Sequence, residues 1–242
     1  MARLRTRHPI RWLLGGVVVL AVLVVGGTWL YIHVIEGPAP APLGLRSGSS
    51  ASASPTVRSS AAAAAAAPAI AGQWRVASGS MVGYRVQEVL AGQNNTAVGR
   101  TSDISGSMTI SGTRVSNASF TVQMATVHSD QSERDAQFDG RIMDTASYPE
   151  GTLTLSGPIE LGTLPSDGVI RSYQASAKLT LHGQTRMVAF SLQAERTGAS
   201  IEVSGSIPIV FAEYGIANPS FGSFVTTQDH GLLEFLVKFS RA

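Results

Sequence analysis

The 242 residues contain no cysteine. That removes disulfides, thiol nucleophiles and cysteine-ligated metals from consideration. Charge is scarce as well, at 14% of the chain, and acidic charge is nearly missing from the first third. Before residue 72 only Glu36 stands against Arg3, Arg5, Arg7, Arg11, Arg46 and Arg58. From Gln73 onward twelve Lys and Arg face fifteen Asp and Glu, a net charge of −3. The basic character therefore belongs to the N-terminal third, and the mildly acidic remainder has no electrostatic reason to bind nucleic acid.

Catalytic signatures are missing too. There is no Gly-x-Ser-x-Gly, no Ser-x-x-Lys, no His-Glu-x-x-His and no glycine-rich phosphate loop ahead of a helix. The histidines His8, His33, His128, His182 and His230 are scattered. Only His128 and His182 are candidates to meet in space, and surface turn residues are the simpler reading of both. These absences predict a protein that is not an enzyme and needs no metal or cofactor.

What is present begins with an apolar run from Trp12 to Ile35, behind the four leading arginines. Leu13 to Ile32 alone gives 20 residues, enough for about 30 Å of hydrocarbon. A cleaved signal peptide is the alternative, but it wants an apolar core of roughly 7–15 residues and a small-residue cleavage site, which Pro40 interrupts. The positive-inside rule then predicts a single-pass anchor in the cell membrane, residues 1–11 cytoplasmic and the remainder extracytoplasmic. Residues 36–71 are Ala, Pro and Ser with almost no large apolar side chains. Such composition predicts a disordered linker.

From residue 72 the pattern becomes short alternating runs parted by Gly, Asn and Ser. Val82, Tyr84 and Val86 share one face of a predicted strand. Gln93 to Thr96 reads as a loop. Ile104, Met108 and Ile110 follow, with a bend or bulge at Gly106. Further runs carry Phe120, Val122 and Met124; Tyr173, Ala175, Ala177, Leu179 and Leu181; Val188, Phe190 and Leu192. Ala212 to Gln228 reads as loop and Leu232 to Phe239 as a last strand. About eight strands with turn signals between them predict an all-β, antiparallel sandwich or barrel.

One stretch breaks the pattern. Ser129 to Pro149 crowds Asp130, Glu133, Arg134, Asp135, Asp139, Arg141 and Asp144 around Phe138, Ile142 and Met143. Phe138 and Ile142 lie four apart, on one face of a helix. A short helix over about 131–143 is predicted, started by Asp130 with Glu133 or by Ser132 with Asp135 and weakened at Gly140. Its carboxylates are a solvated face in the simplest reading, and paired catalytic groups in the sharper one. A calcium loop is excluded by the spacing. The Arg134-Asp135 pair is the structural candidate, placed to tie the helix to a strand end.

Arg134-Asp135, Phe138, Ile142, Met143-Asp144 and Tyr148-Pro149 together resemble the signature of the YceI-like family. Ser80 to Val86 is similar to that family's first strand, and Val98-Gly99 with Gly106 to its second element. Leu179 to Gly183 resembles its Leu-Thr-x-x-Gly hairpin, and Tyr214-Gly215-Ile216 its late loop. The chain departs where the family often has His, at Glu88 and Gln137. The resemblance implies an extended lipocalin-like barrel that holds a long isoprenoid or similar amphiphile in its lumen.

Patterning alone leaves a packed core and a hollow lumen both open, and with them a cell-surface interaction module as the alternative to a lipid holder. An eight-stranded barrel is near the size at which side chains either fill the interior or leave room for one ligand. The resemblance favours the lumen, lined by Val82, Tyr84, Val86, Phe120, Val122, Met124, Phe138, Ile142, Met143, Ala177, Leu179, Phe190 and Leu192. The anchor is tested by protease added to intact cells. A denaturing gel should then show a barrel fragment beginning between Gly37 and Ala71, whereas an uncut linker would rule out the assigned topology.

Overall fold

The computed structural model describes residues 39–45, 70–90, 92–162, 166–222 and 225–242. The strands are β1 (Gly72–Val76), β2 (Met81–Leu90), β3 (Gln93–Thr101), β4 (Ile104–Ser111), β5 (Arg114–Gln123), β6 (Glu150–Leu155), β7 (Ile159–Glu160), β8 (Arg171–Leu181), β9 (Gln184–Thr197), β10 (Ser200–Val210), β11 (Val225–Thr227) and β12 (His230–Arg241). A helix, α1 (Ser132–Gln137), runs directly into a π-helical turn (Phe138–Ile142) between β5 and β6.

All pairings are antiparallel. The ladder runs β1-β4-β5-β6-β8-β9-β10-β12 and returns to β1 through Trp74↔Arg241, Arg75↔Ser240 and Val76↔Phe239. The barrel therefore closes over eight stations. β12 is long enough to serve two partners. Its end pairs with β1, while Leu232 to Leu236 pair with Arg85 to Met81 of β2. The β2–β3 hairpin thus continues the β1–β4 part of the wall toward the end where α1 lies. That end is the helix end of the barrel. The opposite end carries the β4–β5 and β9–β10 turns and the start of β1.

The predicted alternation is what the wall buries. On β8, Ala175, Ala177, Leu179 and Leu181 are buried and Gln174, Ser176 and Lys178 exposed. On β9, Phe190 is buried while Met187 is exposed. Around the ring, Met108, Ile110, Ile207, Ile209, Val237 and Phe239 are among the other buried inward positions.

Three expectations change. Gln93 to Thr96 is strand rather than loop, paired from Leu90↔Gln93 to Gln87↔Thr96. Its polar side chains bond across the ladder, Asn95 Nδ2 to Glu88 Oε1 at 2.9 Å and Thr96 Oγ1 to Gln87 Oε1 at 3.2 Å. Strand pairing here is carried without an apolar alternation to signal it. Within Ala212 to Gln228, read as loop, β11 adds a three-residue strand to the end of β2. The register shift of β4 lies between Thr109 and Ile110, not at Gly106. Among the described residues no helix is long and apolar enough to cross a membrane. The expected span at 12–35 lies outside them, as does most of the 36–71 linker.

Gly106 has a different reason to be glycine. It sits at φ +149°, and a Cβ there would lie 2.3 Å from the Ser119 carbonyl oxygen across the ladder. Gly106→Ala should destabilise the barrel by about 2–4 kcal/mol, from backbone strain and overpacking together. Urea denaturation monitored by Trp74 fluorescence measures it, and a change within about 0.5 kcal/mol would contradict the assignment.

Candidate functional site: the barrel lumen

The closed wall does not fill its interior. A cavity of about 700 Å³ runs inside it, within the roughly 300–1,000 Å³ usual for small-molecule sites. Val115 and Val122 of β5 both line it. Because of the bulge they pair with Ile110 and Ile104, six steps apart on β4, a span of about 20 Å, or roughly 15 Å along the axis at a tilt near 40°. The half-buried state of Val82, Phe120, Val122 and Leu192 has the same origin: these side chains point inward and end on empty space.

All thirteen predicted lumen residues line this cavity. They differ in how they do so. Ala177 is 1% exposed, packed into the wall rather than facing open space. Sequence patterning under-counted the lining on β10 and β12, where Ile207, Ile209, Leu233, Phe235 and Phe239 also contribute. Those strands showed the alternation, but no family motif drew attention to them.

The helix caps one end. Its start is not the predicted capping box, since Gln131 holds the N-cap position and makes no side-chain cap bond. Asp135 instead reaches back, its Oδ1 accepting from Ser129 N at 2.8 Å and from Ser129 Oγ at 2.7 Å. Its Oδ2 lies 3.3 Å from His128 Nδ1. Arg134 forks between Asp130 at 2.5 Å and Glu88 of β2 at 3.4 Å, the strand tie that its position suggested. Arg141 anchors the far end of the helix, donating to the Pro219 carbonyl at 3.0 Å. The carboxylates therefore disperse: Asp130 to Arg134, Asp135 to Ser129 and His128, and Asp139 to Thr145 through a 3.5 Å hydrogen bond. They do not converge on a shared site. His182 lies against Tyr148 with ring centroids 4.5 Å apart, so it and His128 have different partners. Among the described residues no group of three acidic or histidine side chains could hold a metal ion.

Residues 74–239 match the YceI-like domain family. The chain belongs to the YceI-like family. It is a family of binding proteins, generally non-catalytic. A polyisoprenoid binding domain from Saccharophagus degradans, implicated in plant cell wall breakdown, superposes with a TM-score of 0.58 at 16% identity, covering 71% of this chain and 99% of that one. BcnA of Burkholderia cenocepacia gives 0.49 at 21% identity, covering 64% and 95%. The YCEI protein of Campylobacter jejuni gives 0.45 at 14%, covering 60% and 84%. At these identities the likeness is one of fold. No curated protein sequence matches the chain.

The YceI-like lumen is polar mainly at its helix end. Glu88, Gln131, Glu133, Arg134, Gln137 and Arg141 line it there, with Glu195 and Arg196 at the other end and apolar side chains between. Tyr84 marks the boundary. Its ring lies over Gly99, its cross-strand partner, where a Cβ would come within 2.3 Å of the ring. On the lumen side it stacks on Phe138, centroids 5.3 Å apart and planes 16° apart. Burial pushes the Tyr84 hydroxyl well above its ordinary value, partly opposed by Arg134 and reinforced by Asp135, Glu88 and Asp130. For Arg134 burial works against the charge, but Glu88 and Asp130 outweigh it and its pKa rises. Glu88 stands where the family often has His, and here it holds Arg134 and Asn95. At the far end Tyr173 lines the lumen with its hydroxyl buried and without a hydrogen-bond partner.

The raised Tyr84 pKa makes a signed prediction. Native Tyr84 keeps its proton to a higher pH than unfolded tyrosine, which titrates near pH 10. Its contribution is fully present below pH ~10 and is lost as pH climbs toward the native value. Tyr84→Phe should therefore flatten the fall of stability above pH 10 by up to about 1.4 kcal/mol per pH unit. Urea midpoints between pH 9 and 11.5 test this. Parallel slopes in both proteins would contradict it.

Proposed function

We propose that this protein is a membrane-anchored, extracytoplasmic holder of a long isoprenoid or similar amphiphile, and that it does no chemistry on the bound molecule. The observation that carries the reading is the hollow, largely apolar lumen, polar mainly at its helix end. An apolar chain in the lumen gains about 0.8 kcal/mol per CH₂ removed from water. A polar head at the helix end would meet Arg134, Glu88 and the Tyr84 hydroxyl. The lumen's length of roughly 15 Å matches one bilayer leaflet, about 15 Å of hydrocarbon, which favours a long chain over a short one. The polyisoprenoid binding described for the Saccharophagus degradans domain supports the same class. The dispersed carboxylates and the missing nucleophile motifs support a binding role over a hydrolytic one. An interaction module with a solid core fits poorly, because the interior is not solid.

The test pairs stability with ligand retention. Native mass spectrometry of the gently extracted protein should show a lipid adduct. Leu192→Trp projects bulk into open lumen and should expel that adduct with a stability change under about 1 kcal/mol. Ala177 is too tightly packed for the same use. Phe138→Ala should cost the delipidated barrel about 1–3 kcal/mol, less than the roughly 3–5 of a packed core, because one side of the ring faces open space. A clean apo mass for the wild type, with unfolding of Leu192→Trp, would defeat the proposal.

A further inference from the structure

The wall carries a seat on its outside. Register places Arg85, Val98, Arg100 and Glu234 on the outward face of β2, β3 and β12, opposite to Tyr84 and Val86. Outward groups should be wet, yet Glu234 is 4% and Val98 6% exposed. Glu234 is held by Arg85 at 2.6 Å and faces Arg100 at 3.7 Å.

Residues 39–45 lie across these groups. Arg85 Nη2 donates to the Pro40 carbonyl at 2.7 Å, and Arg100 Nη2 donates to the carbonyl of Ala41. Further on, Leu45 N donates to Ser204 Oγ of β10 at 3.3 Å. Ser204 is also outward and only 3% exposed. From β3 to β10 is three strand spacings, about 14 Å. The four residue-to-residue steps from Ala41 to Leu45, fully extended, reach about the same distance. The segment is therefore a taut strap, held through its backbone by two arginines that share one buried carboxylate. At its start, Ala39 and Pro40 share a small surface pocket with Asn95, Asp130 and Arg134, at the helix end of the barrel.

We infer that residues 39–45 are a built-in strap that seats the barrel on its own N-terminal segment and holds the helix end toward the membrane. The seat stands by itself; the orientation rests on the anchor proposed above. The apolar run ends at Ile35, four residues before Ala39, a reach of at most about 14 Å. With the seat closed, that reach limits how far the barrel stands from the apolar run. Phe221, 66% exposed and lining the lumen, then lies on the membrane side. So does Arg141, tied to Pro219 beside it. The lumen would exchange an amphiphile directly with the bilayer.

The chain's lack of cysteine makes two tests clean. In Leu45→Cys/Ser204→Cys, mild oxidation of the full chain should give a near-quantitative intramolecular disulfide, and its failure to form would overturn the seat. For orientation, the full chain in vesicles carries a donor dye at Phe221→Cys or Ala199→Cys, with an acceptor on the lipid headgroups. Transfer should be several-fold stronger from position 221. A 20-residue Gly-Ser insert between Pro38 and Ala39 should abolish that excess, and the same insert between Ala64 and Ala65 should leave it unchanged. Equal effects of the two inserts, or equal transfer from the two labels, would overturn the orientation. Loss of the protein from vesicles in an alkaline wash would sink both the anchor and the orientation, while the disulfide still decides the seat.

Discussion

The width of this barrel is set by its backbone. Eight stations hydrogen-bonded edge to edge fix a circumference that no side chain chooses. What the sequence can choose is whether the inward residues meet across the middle. Here β8 contributes Ala175 and Ala177, and the larger residues on the other strands meet locally, Phe120 with Phe239 and Phe190 with Phe235, without filling the middle. The space left over is a product of ladder geometry and small inward side chains together. Closure makes that space usable, because a sheet that stayed open would present unpaired edges and collapse onto its apolar face.

The helix takes part in this economy of space. A helix lying across the mouth must bury an apolar face, and Phe138 does so by stacking on Tyr84 rather than by filling the lumen. Tyr84 in turn needs Gly99 to lack a side chain. Arg134 then brings charge to the rim, where Glu88 and Asp130 can satisfy it. Three aromatic and glycine positions and one ion-pair fork thus decide where the apolar interior ends and the polar end begins.

Much of this was legible in the sequence, for physical reasons that differ by element. Period-two runs such as Tyr173 to Leu181 identified strands because one face is buried and the other is not. The helix was legible because charge and a four-residue spacing interrupt that period. β3 was missed because its start pairs through Asn95 and Thr96 side chains instead of apolar burial. The cap at Asp135 was missed because it reaches backward to Ser129, outside the usual capping spacing. The hollow itself was not legible from the residues. Inward side chains of a packed core and of a lumen follow the same alternation, and only the distance across the barrel tells them apart. The strap on Arg85 and Arg100 was invisible for a related reason: it is held by backbone carbonyls, which every sequence has.

The seam between β1 and β12 joins residues 167 positions apart, from Trp74 to Arg241. Hairpins such as β8–β9 and β9–β10 need only local turns and can form within microseconds. The seam must wait until nearly every other strand is in place, because its two sides are brought together only by the curvature of the rest. Long-range pairing of this kind slows folding. Until the seam shuts, β1 and the end of β12 are free strand edges over an apolar interior, which is the state most open to pairing with another chain. The same pairing that closes the eight-station ring thus sets the longest vulnerable interval on the way to it.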